Sequence, residues 1–459
     1  MVESAGEETI YDYIIIGSGF GGSISALRLV EKGYTVLVLE EGRWFEDTDF
    51  PPTNNNPFRY LWMPRLLCRG FQRITFLKHA AIMGAAGVGG GSINYANTLL
   101  DPPEHFYSAR GLPDGVDWKS ELQPFLSAAR DMYRPAPVPC MTQMDTALKE
   151  TAEELGVGDS FYQENVAVFF GEPEQSVPDP YFGGKGPERT GCTLCSGCMI
   201  GCRVGAKNTL LKNYLHLAIG GGATVIAESR VVDLVRADDG TCTVQTERPG
   251  VIAGKGTRRF RARNVVFSAG VLGTLRLLFT LKQAGRLDIS DRLGFDVRTN
   301  SETLIGVRKP GRDVNLSEGV AITSGVYLDD GTHIEVVRYP EGANILSFLS
   351  TLLTDKHRKI WRPLSMIWNI LKNPLRAMRV LNPAGWARQS IILLVMQTED
   401  NCIRIVGRGR RRGTAKLQSV VDENATLAPV YIPQAHDFSR KMAAKLGGVP
   451  LSNIYEVFF

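Results

Sequence analysis

The sequence predicts an α/β fold containing a Rossmann-like dinucleotide-binding domain that is split along the chain. Three observations indicate it. A strand, a glycine turn, a helix and a second strand follow one another near the N-terminus, a second glycine cluster lies at 84–97, and a further strand, glycine turn and helix occupy 264–284. The 459 residues are too many for one compact core and indicate two or three domains.

The first glycine turn has the spacing G-x-G-x-x-G and directly follows an apolar run at 13–17, which is typical of a buried parallel strand. Gly17 permits the tight turn, Gly19 lets the backbone approach a pyrophosphate, and Gly22 lets a helix pack closely on the strand. Phe20 lies inside the motif and is predicted to contact the cofactor. The N-terminus of the following helix adds free N–H groups and the positive end of a dipole.

The rest of this unit supports the same prediction. A helix is predicted at 23–32 and a second strand at 35–39, and Glu40 ends that strand. A carboxylate at this position can accept hydrogen bonds from the adenosine ribose hydroxyls and disfavours a 2′-phosphate. Because strand, turn, helix, strand and acid all fall in order, a bound dinucleotide is a better interpretation than a purely structural glycine turn.

Two later segments indicate which dinucleotide is bound. Three consecutive glycines at 89–91 add no side chain to a core, so they suit a backbone lying against a flat ring or a phosphate. A flexible loop is the alternative, which the flanking apolar residues disfavour. The segment 264–284, preceded by predicted strands at 223–226 and 231–235, returns the chain to the same sheet. Such a split domain is typical of flavoproteins, and the predicted cofactor is therefore FAD.

Composition excludes several other classes of protein. The net charge of +4 is too weak to indicate a nucleic-acid partner, and no apolar run approaches the roughly 18 residues of a membrane span. The segment 1–9 lacks the basic and apolar regions of a signal peptide. We therefore expect a cytoplasmic protein, in which the eight cysteines are thiols or metal ligands rather than disulfides.

Four cysteines form a run with the spacing C-x₂-C-x₂-C-x₃-C, which is found in ferredoxins, although Arg203 stands where a proline commonly follows. An iron–sulfur cluster and a zinc ion are two open interpretations. We favour a third, in which the thiols are reduced and hold no metal, because the chain has no second cysteine run. The four residues are Cys192, Cys195, Cys198 and Cys202.

A basic, aromatic segment spans 356–388, with eight Lys or Arg, three Trp and no Asp or Glu. Its prolines divide it into short helices predicted at 364–372 and 375–380. The pattern fits interfacial helices that insert an apolar face into a lipid surface, and it also fits helices that pack on the protein with solvated basic faces, which we favour. A second basic run at 404–416 is predicted to be a solvated hairpin turn.

The sequence resembles the glucose–methanol–choline (GMC) oxidoreductases, most closely their bacterial cholesterol oxidases of the actinobacterial type. The resemblance implies an FAD-binding domain formed by 1–44 and 203–300, with the 84–97 loop contacting FAD. It also implies an α+β substrate domain, formed by 45–202 and 301–459, on a mainly antiparallel sheet. The stretches that carry the resemblance are 16–23, 87–97, 177–184, 205–210 and 320–323.

The resemblance also implies a reaction and its residues. The reaction is FAD-dependent oxidation of a 3β-hydroxysteroid such as cholesterol to the ketone, with isomerisation of the double bond as a further step left open. Gly91, Ser92 and Tyr95 fall at the flavin, and Val231 falls where a backbone amide meets the adenine. Glu335 falls on the acid that cholesterol oxidases use as a base, and a dry pocket would raise its pKa. The alternative is a solvated strand carboxylate.

The sequence departs from the family at its end. The family's catalytic His and Asn, and the last strand of its FAD domain, would come after Phe459. We therefore expect weak or absent activity. A dehydrogenase of another bulky alcohol and a non-catalytic flavin- or lipid-binding remnant are the alternatives. Among the histidines, His436 is expected at a helix start or the surface, and His333 on the same side of its strand as Glu335.

Overall fold

The computed structural model describes residues 9–109, 111–251, 256–356, 360–411, 414–422 and 425–458. Two large sheets organise the chain, one of six strands and one of seven. In chain order their strands are β1 Ile10–Ile16, β2 Val36–Leu39, β3 Tyr162–Gln163, β4 Thr224–Ile226, β5 Arg230–Arg236, β6 Cys242–Glu247, β7 Arg258–Phe267, β8 Glu302–Arg308, β9 Ile322–Tyr327, β10 Thr332–Val337, β11 Ser350–Leu352, β12 Ser390–Gln397 and β13 Val449–Asn453.

Helices cover these sheets and extend from them. In chain order the main helices are α1 Phe20–Val30, α2 Trp118–Tyr133, α3 Gln143–Glu154, α4 Tyr214–Gly220, α5 Gly270–Gln283, α6 Arg362–Lys372, α7 Pro374–Leu381, α8 Pro433–Leu446 and α9 Ile454–Phe458. In the part of the chain that the structure describes, none of the helices has the length and apolarity that crossing a bilayer would require. The N-terminal residues 1–8, on which the prediction about targeting depends, lie outside the described residues.

The six-stranded sheet is mixed and has the order β4-β2-β1-β7-β6-β5. The first four of these strands are parallel, and β6 and β5 continue the sheet as antiparallel strands. Both faces are covered, because Ile14 packs with Leu277 of α5 on one face, while Ile15 packs with Leu27 of α1 on the other. Strands buried on both faces are apolar throughout rather than alternating, which explains the continuous apolar run of β1.

The seven-stranded sheet is antiparallel throughout, with the order β11-β13-β8-β12-β10-β9-β3. One face carries Ile334, Val336 and Leu393 and packs on α3 and α8 through Leu148 and Phe438. Side chains alternate between the two faces of a strand, so the residues between these apolar positions point the other way. Those residues include a buried carboxyl group, which belongs to the candidate site.

The strands of the two sheets fall in different parts of the sequence. The six-stranded sheet takes its strands from 1–44 and 203–300, and the seven-stranded sheet from 45–202 and 301–459. The domain boundaries themselves stay a prediction. What the structure gives is the coarser division into a mixed sheet and an antiparallel sheet.

The second basic run does form a hairpin, but the prediction that the run as a whole is a solvated turn was wrong. Arg404–Arg411 is itself a strand, which pairs in antiparallel fashion with Thr414–Val420, while 412–413 lie outside the described residues. Ile405 is fully buried and packs with Phe279 of α5, which explains why the run is ordered as a strand.

Candidate functional site

The first glycine turn joins β1 to α1, as its spacing predicts. Gly17 has φ +100°, a conformation that side chains rarely adopt, and a Cβ on Gly22 would lie 1.9 Å from the Gly17 carbonyl oxygen. The helix therefore begins directly against the strand. No side chain caps the first turn of α1, whose N-cap residue is Gly19. The first-turn N–H groups thus remain available to an anionic ligand such as a pyrophosphate.

Glu40 ends β2 beside this turn and is 7% exposed. Its carboxylate accepts hydrogen bonds from the Ser18 N–H (3.0 Å), the Ser18 hydroxyl (2.7 Å) and the Gly42 N–H (2.8 Å). Burial raises the pKa of Glu40, and these three donors oppose that rise. Val231 lies at a bulge in β5, two residues after Ser229, whose N–H donates to the Glu40 carbonyl (2.7 Å).

The second glycine cluster meets the first turn backbone to backbone. Gly90 has φ +51°, and a Cβ on it would lie 2.6 Å from the Cα of Gly19. The Gly89 N–H donates to the Ser18 hydroxyl oxygen (3.0 Å), while that hydroxyl donates to Glu40. Ser18 is fully buried and links both glycine segments to the acid. Sequence reasoning missed it, since it occupies a variable position of the motif.

Three residues predicted at the flavin lie together beyond this junction. Gly91 approaches the Phe20 ring, since a Cβ on it would lie 3.4 Å from a ring carbon. The buried Ser92 hydroxyl donates to the Gly89 carbonyl (2.8 Å) and accepts from the Leu210 N–H. The Tyr95 hydroxyl donates to the Asn208 carbonyl. Because both side chains are engaged within the protein, their segment would offer a ligand its backbone.

Lys207 fixes the backbone of the segment that contains Gly91, Ser92 and Tyr95, a role that sequence reasoning missed. Its ammonium is buried and donates to the carbonyls of Ile93 (2.9 Å), Tyr95 (2.7 Å) and Cys198 (2.7 Å). Burial lowers the pKa of Lys207 to about 7. Lys207 lies within 205–210, one of the stretches that carried the family resemblance, but the sequence does not indicate that a lysine in a loop is buried.

Glu335 lies on β10, on the face of the antiparallel sheet opposite to α3 and α8, and is 2% exposed. The alternative of a solvated strand carboxylate was therefore wrong. Burial raises the pKa of Glu335, and the neighbouring carboxyl group of Glu164 raises it further. Its Oε1 atom is buried and has no hydrogen-bond partner among the described residues. A carboxyl group left without donors in a dry site favours its protonated form.

Three side chains surround this carboxyl group. Glu164 follows β3 and is 2% exposed, and its pKa is also raised by burial. His333 faces the same side as Glu335, as its two-residue spacing predicts, with its Nε2 atom 4.0 Å from Glu335 Oε1. That Nε2 atom is 2.5 Å from the Tyr162 hydroxyl oxygen. Burial lowers the pKa of His333 to about 4, so the imidazole is neutral near pH 7.

Comparison with known proteins gives the family. The chain is 44% identical over 460 residues to a cholesterol oxidase of Mycobacterium tuberculosis (strain CDC 1551 / Oshkosh), which covers 98% of this chain and 79% of the relative. It is 43% identical over 461 residues to a cholesterol oxidase of Acinetobacter baumannii, which covers 98% of this chain and 82% of the relative. The chain belongs to the cholesterol oxidase family.

The family resemblance drawn from the sequence is thereby confirmed. Among solved structures, pyridoxine 4-oxidase from Mesorbium loti superposes with a TM-score of 0.55 at 16% identity, covering 95% of this chain and 80% of that chain. At this identity the likeness concerns the fold alone. No protein-family model matches the sequence.

The cysteine run of this cholesterol oxidase family member is connected to the second glycine cluster through Lys207, which donates to the carbonyls of both Cys198 and Ile93. Its four thiols line one small cavity together with Lys207. Within the described ranges, which include all four cysteines, no three His, Cys, Asp or Glu side chains are placed to hold a metal ion. Burial raises the pKa of Cys192 to about 12 and that of Cys198 to about 11, so both are neutral thiols near pH 7. A cofactor role for the run stays untested.

The expectation for His436 was wrong. The residue is 1% exposed, with its Nε2 atom 2.6 Å from Glu456 of α9 and its Nδ1 atom 3.0 Å from Asp355. Arg362 at the start of α6 donates to the same Glu456 carboxylate (2.6 Å). Since α8 begins at Pro433, His436 lies one turn inside that helix, on its inner face. It connects three segments of the chain and caps none of them.

The predicted helices of the basic segment exist, as α6 and α7. Val380 and Ala377 anchor α7 against β11 and β13. The surface of α6 and α7 that faces away from these strands is apolar and exposed, and we call it the aromatic ridge. Its members are exposed by 43–71% and comprise Leu364, Ile367, Trp368, Leu371, Leu375, Met378 and Leu381. Lys372 lies over the Trp368 ring at 5.0 Å, so positive charge accompanies the apolar surface.

Proposed function

We propose that this chain is an FAD-dependent oxidoreductase that oxidises the 3β-hydroxyl group of a sterol such as cholesterol to the ketone. The observation that carries the proposal is the identity of 44% to a cholesterol oxidase over 98% of the chain. The geometry supports the same class of chemistry. Two glycine segments meet at the end of a parallel sheet, and a buried carboxyl group lies on the antiparallel sheet.

The residues present fit the dinucleotide. The uncapped first turn of α1, from Gly17 to Gly22, would hold the pyrophosphate, and Glu40 and the backbone at Val231 would hold the adenosine half. Gly91, Ser92 and Tyr95 would place their backbone against the flavin. Bound there, FAD would supply a hydride acceptor for the alcohol carbon. The protein's contribution is to position the two reactants and to exclude water.

Glu335 is the proposed base for a second step, the isomerisation of the double bond in the product ketone. The carbon between the ketone and the double bond loses its proton to the Glu335 carboxylate, and the far end of the double bond receives a proton. A base for this step needs a raised pKa in a dry pocket, and burial raises the pKa of Glu335. Its two-percent exposure supports this assignment.

The test uses the purified 459-residue chain reconstituted with FAD. Under anaerobic conditions cholesterol should bleach the flavin absorbance, and with oxygen it should yield ketone and hydrogen peroxide. Bleaching by cholesterol without peroxide formation would indicate a dehydrogenase that uses another acceptor. Stoichiometric FAD binding with no bleaching by any sterol would overturn the proposed function.

We also propose that the aromatic ridge contacts anionic membranes. Seven apolar side chains lie exposed on one surface, in a segment of the sequence that holds eight basic residues and no acidic ones. A sterol oxidase draws its substrate from a bilayer, so the contact serves the proposed reaction. Co-sedimentation with anionic vesicles should fall by about tenfold in Trp368→Ser/Leu371→Ser, while exposed Phe125→Ser on α2 should bind as before. No sedimentation of the parent chain at low salt would contradict it.

A further inference from the structure

Glu164 has no part in the chemistry proposed so far, although the sheet places it beside Glu335. On β9, Gly325 pairs with Glu335 of β10 on one side and with Tyr162 of β3 on the other. Glu164 lies two residues after Tyr162 and therefore faces the same side of the sheet. A Cβ on Gly325 would lie 2.4 Å from the Tyr162 hydroxyl oxygen, so the glycine leaves the space in which these polar groups meet.

Both carboxyl groups are deprived of charge partners. Each residue is 2% exposed, and the Oε1 atom of each is buried without a hydrogen-bond partner among the described residues. In the described part of the chain, His333 is the basic group in ion-pair contact with Glu335, and no basic group makes such a contact with Glu164. Because His333 is neutral, it offers no compensating charge.

Two carboxylates in contact inside a dry site cannot both be ionised. The pairing of β3, β9 and β10 brings the carboxyl groups of Glu164 and Glu335 together, and a hydrogen bond between them requires a proton on one. Such a pair loses its protons in two separate steps that belong to the pair rather than to either residue.

We propose that Glu164 shares a single proton with Glu335 and thereby decides when Glu335 can act as a base. This inference rests on the proposed function, because the base is needed for isomerisation of the steroid ketone. Glu164 is a positioning residue, since it acts on the substrate through Glu335.

The surrounding groups decide where the proton rests. The Nε2 atom of His333 lies 2.5 Å from the Tyr162 hydroxyl oxygen, and if the imidazole is protonated on Nε2 it donates there, which leaves that hydroxyl able to donate to Glu164. This chain of donors stabilises Glu164 as the carboxylate and leaves the proton on Glu335. Tyr327 stacks on His333 at 4.4 Å and encloses the group. Of the neighbouring strands, β8 contributes the carboxylate of Glu302 and β12 contributes uncharged side chains, Leu394 and Met396.

The proton balance of the step is then complete. The proton on Glu335 moves to Glu164, which frees the Glu335 carboxylate. The C–H bond next to the ketone breaks, its proton forms a new bond to Glu335, and the electron pair enters a dienolate. Glu335 returns a proton to the far end of the double bond, and the pair regains its starting state with one proton. No oxidant or further reactant is required.

The experiment measures the pH dependence of isomerisation on supplied β,γ-unsaturated steroid ketone, so the oxidation step is bypassed. Glu164→Gln removes the neighbouring negative charge, so Glu335 should lose its proton to solvent at lower pH. We expect the acid limb of the rate profile to move towards acid by about one pH unit or more. Glu164→Asp should restore most of the parent profile, and Glu302→Gln should shift it less. A Glu164→Gln enzyme that is slower at every pH with an unshifted profile would overturn the proposal.

A second measurement needs no turnover and separates this proposal from the proposed function. Infrared spectroscopy of the parent chain should show a protonated buried carboxyl band near neutral pH, and Glu335→Gln should reduce its intensity. Absence of that band from the folded parent chain would overturn the shared proton. A chain that shows the band but does not oxidise sterols would support the proton pair and contradict the proposed substrate.

Discussion

Burial raises the pKa of two glutamates in this chain, Glu40 and Glu335, but their hydrogen-bonding surroundings differ. Glu40 is held by three donors, two from Ser18 and one from Gly42. Glu335 has a buried oxygen without a donor and a second carboxyl group beside it. Burial is common to both, so burial alone does not identify a base. The partners decide whether a buried carboxylate fixes the backbone or exchanges a proton.

The largest expected difference concerns isomerisation. Glu335→Gln keeps the shape of the side chain and removes its basicity, so the rate on supplied β,γ-unsaturated ketone should fall by about 10²–10⁴-fold. Flavin bleaching by the sterol should change much less, because hydride transfer does not use this group in the proposed mechanism. The matched control is Asp330→Asn at the exposed turn before β10, which should isomerise at the parent rate. Equal rates for the two variants would remove Glu335 from the reaction.

The second expected difference concerns the backbone role of Glu40. In Glu40→Gln an amide N–H group must face one of the three donors, so we expect a loss of about 1–3 kcal/mol in the free energy of unfolding. FAD affinity should fall with it. Urea unfolding and flavin titration check both. Glu41→Gln is the control, because Glu41 forms a partly exposed ion pair with Arg73 (2.9 Å) that should be worth less than about 1 kcal/mol. If Glu40→Gln lost no more unfolding free energy than Glu41→Gln, the proposed role of Glu40 in fixing the backbone would be contradicted.

The smallest effect has the opposite sign. The folded-state pKa of Glu335 is raised, so its contribution to stability is full below the ordinary carboxyl pKa and is lost as pH rises through the raised value. The Glu335→Gln variant has no carboxyl group to ionise at this position, so it does not lose stability in this way. Its stability relative to the parent chain should therefore increase as pH rises through the raised pKa of Glu335, by about 1 kcal/mol or more at the upper end. Thermal unfolding at several pH values measures it. A variant that became relatively less stable with rising pH would contradict the unpartnered state of Glu335.

Much of the dinucleotide site was accessible from the sequence because its requirements are local. Gly17, Gly22 and Gly90 lie where a side chain would strike backbone or force an unfavourable φ, and no other residue type satisfies those positions. The order of strand, turn, helix, strand and acid follows from hydrophobic periodicity over some thirty residues. Helix bounds were less accessible. The predicted helix 275–284 begins at Gly270, since the glycine turn itself forms the first helical residues.

The Glu335 cluster depended on tertiary structure. The sequence places Glu335 and His333 on one side of a strand, but Glu164 and Tyr162 join them through the pairing of β3, β9 and β10 across more than 160 residues. His436 shows the same limit, because its burial results from contacts with Asp355 and Glu456 on other segments. No local pattern reports which distant strand will be the neighbour.

The sequence alone determined the class of fold, the glycine turns that receive a dinucleotide, and the existence of the basic helices. Each of these follows from periodicity or from backbone conformations that few residue types allow. Only the tertiary structure decided which carboxylates have donors and which have none. Hydrogen-bond satisfaction is a property of the assembled sheets, so the chemical difference between Glu40 and Glu335 arises when the chain folds.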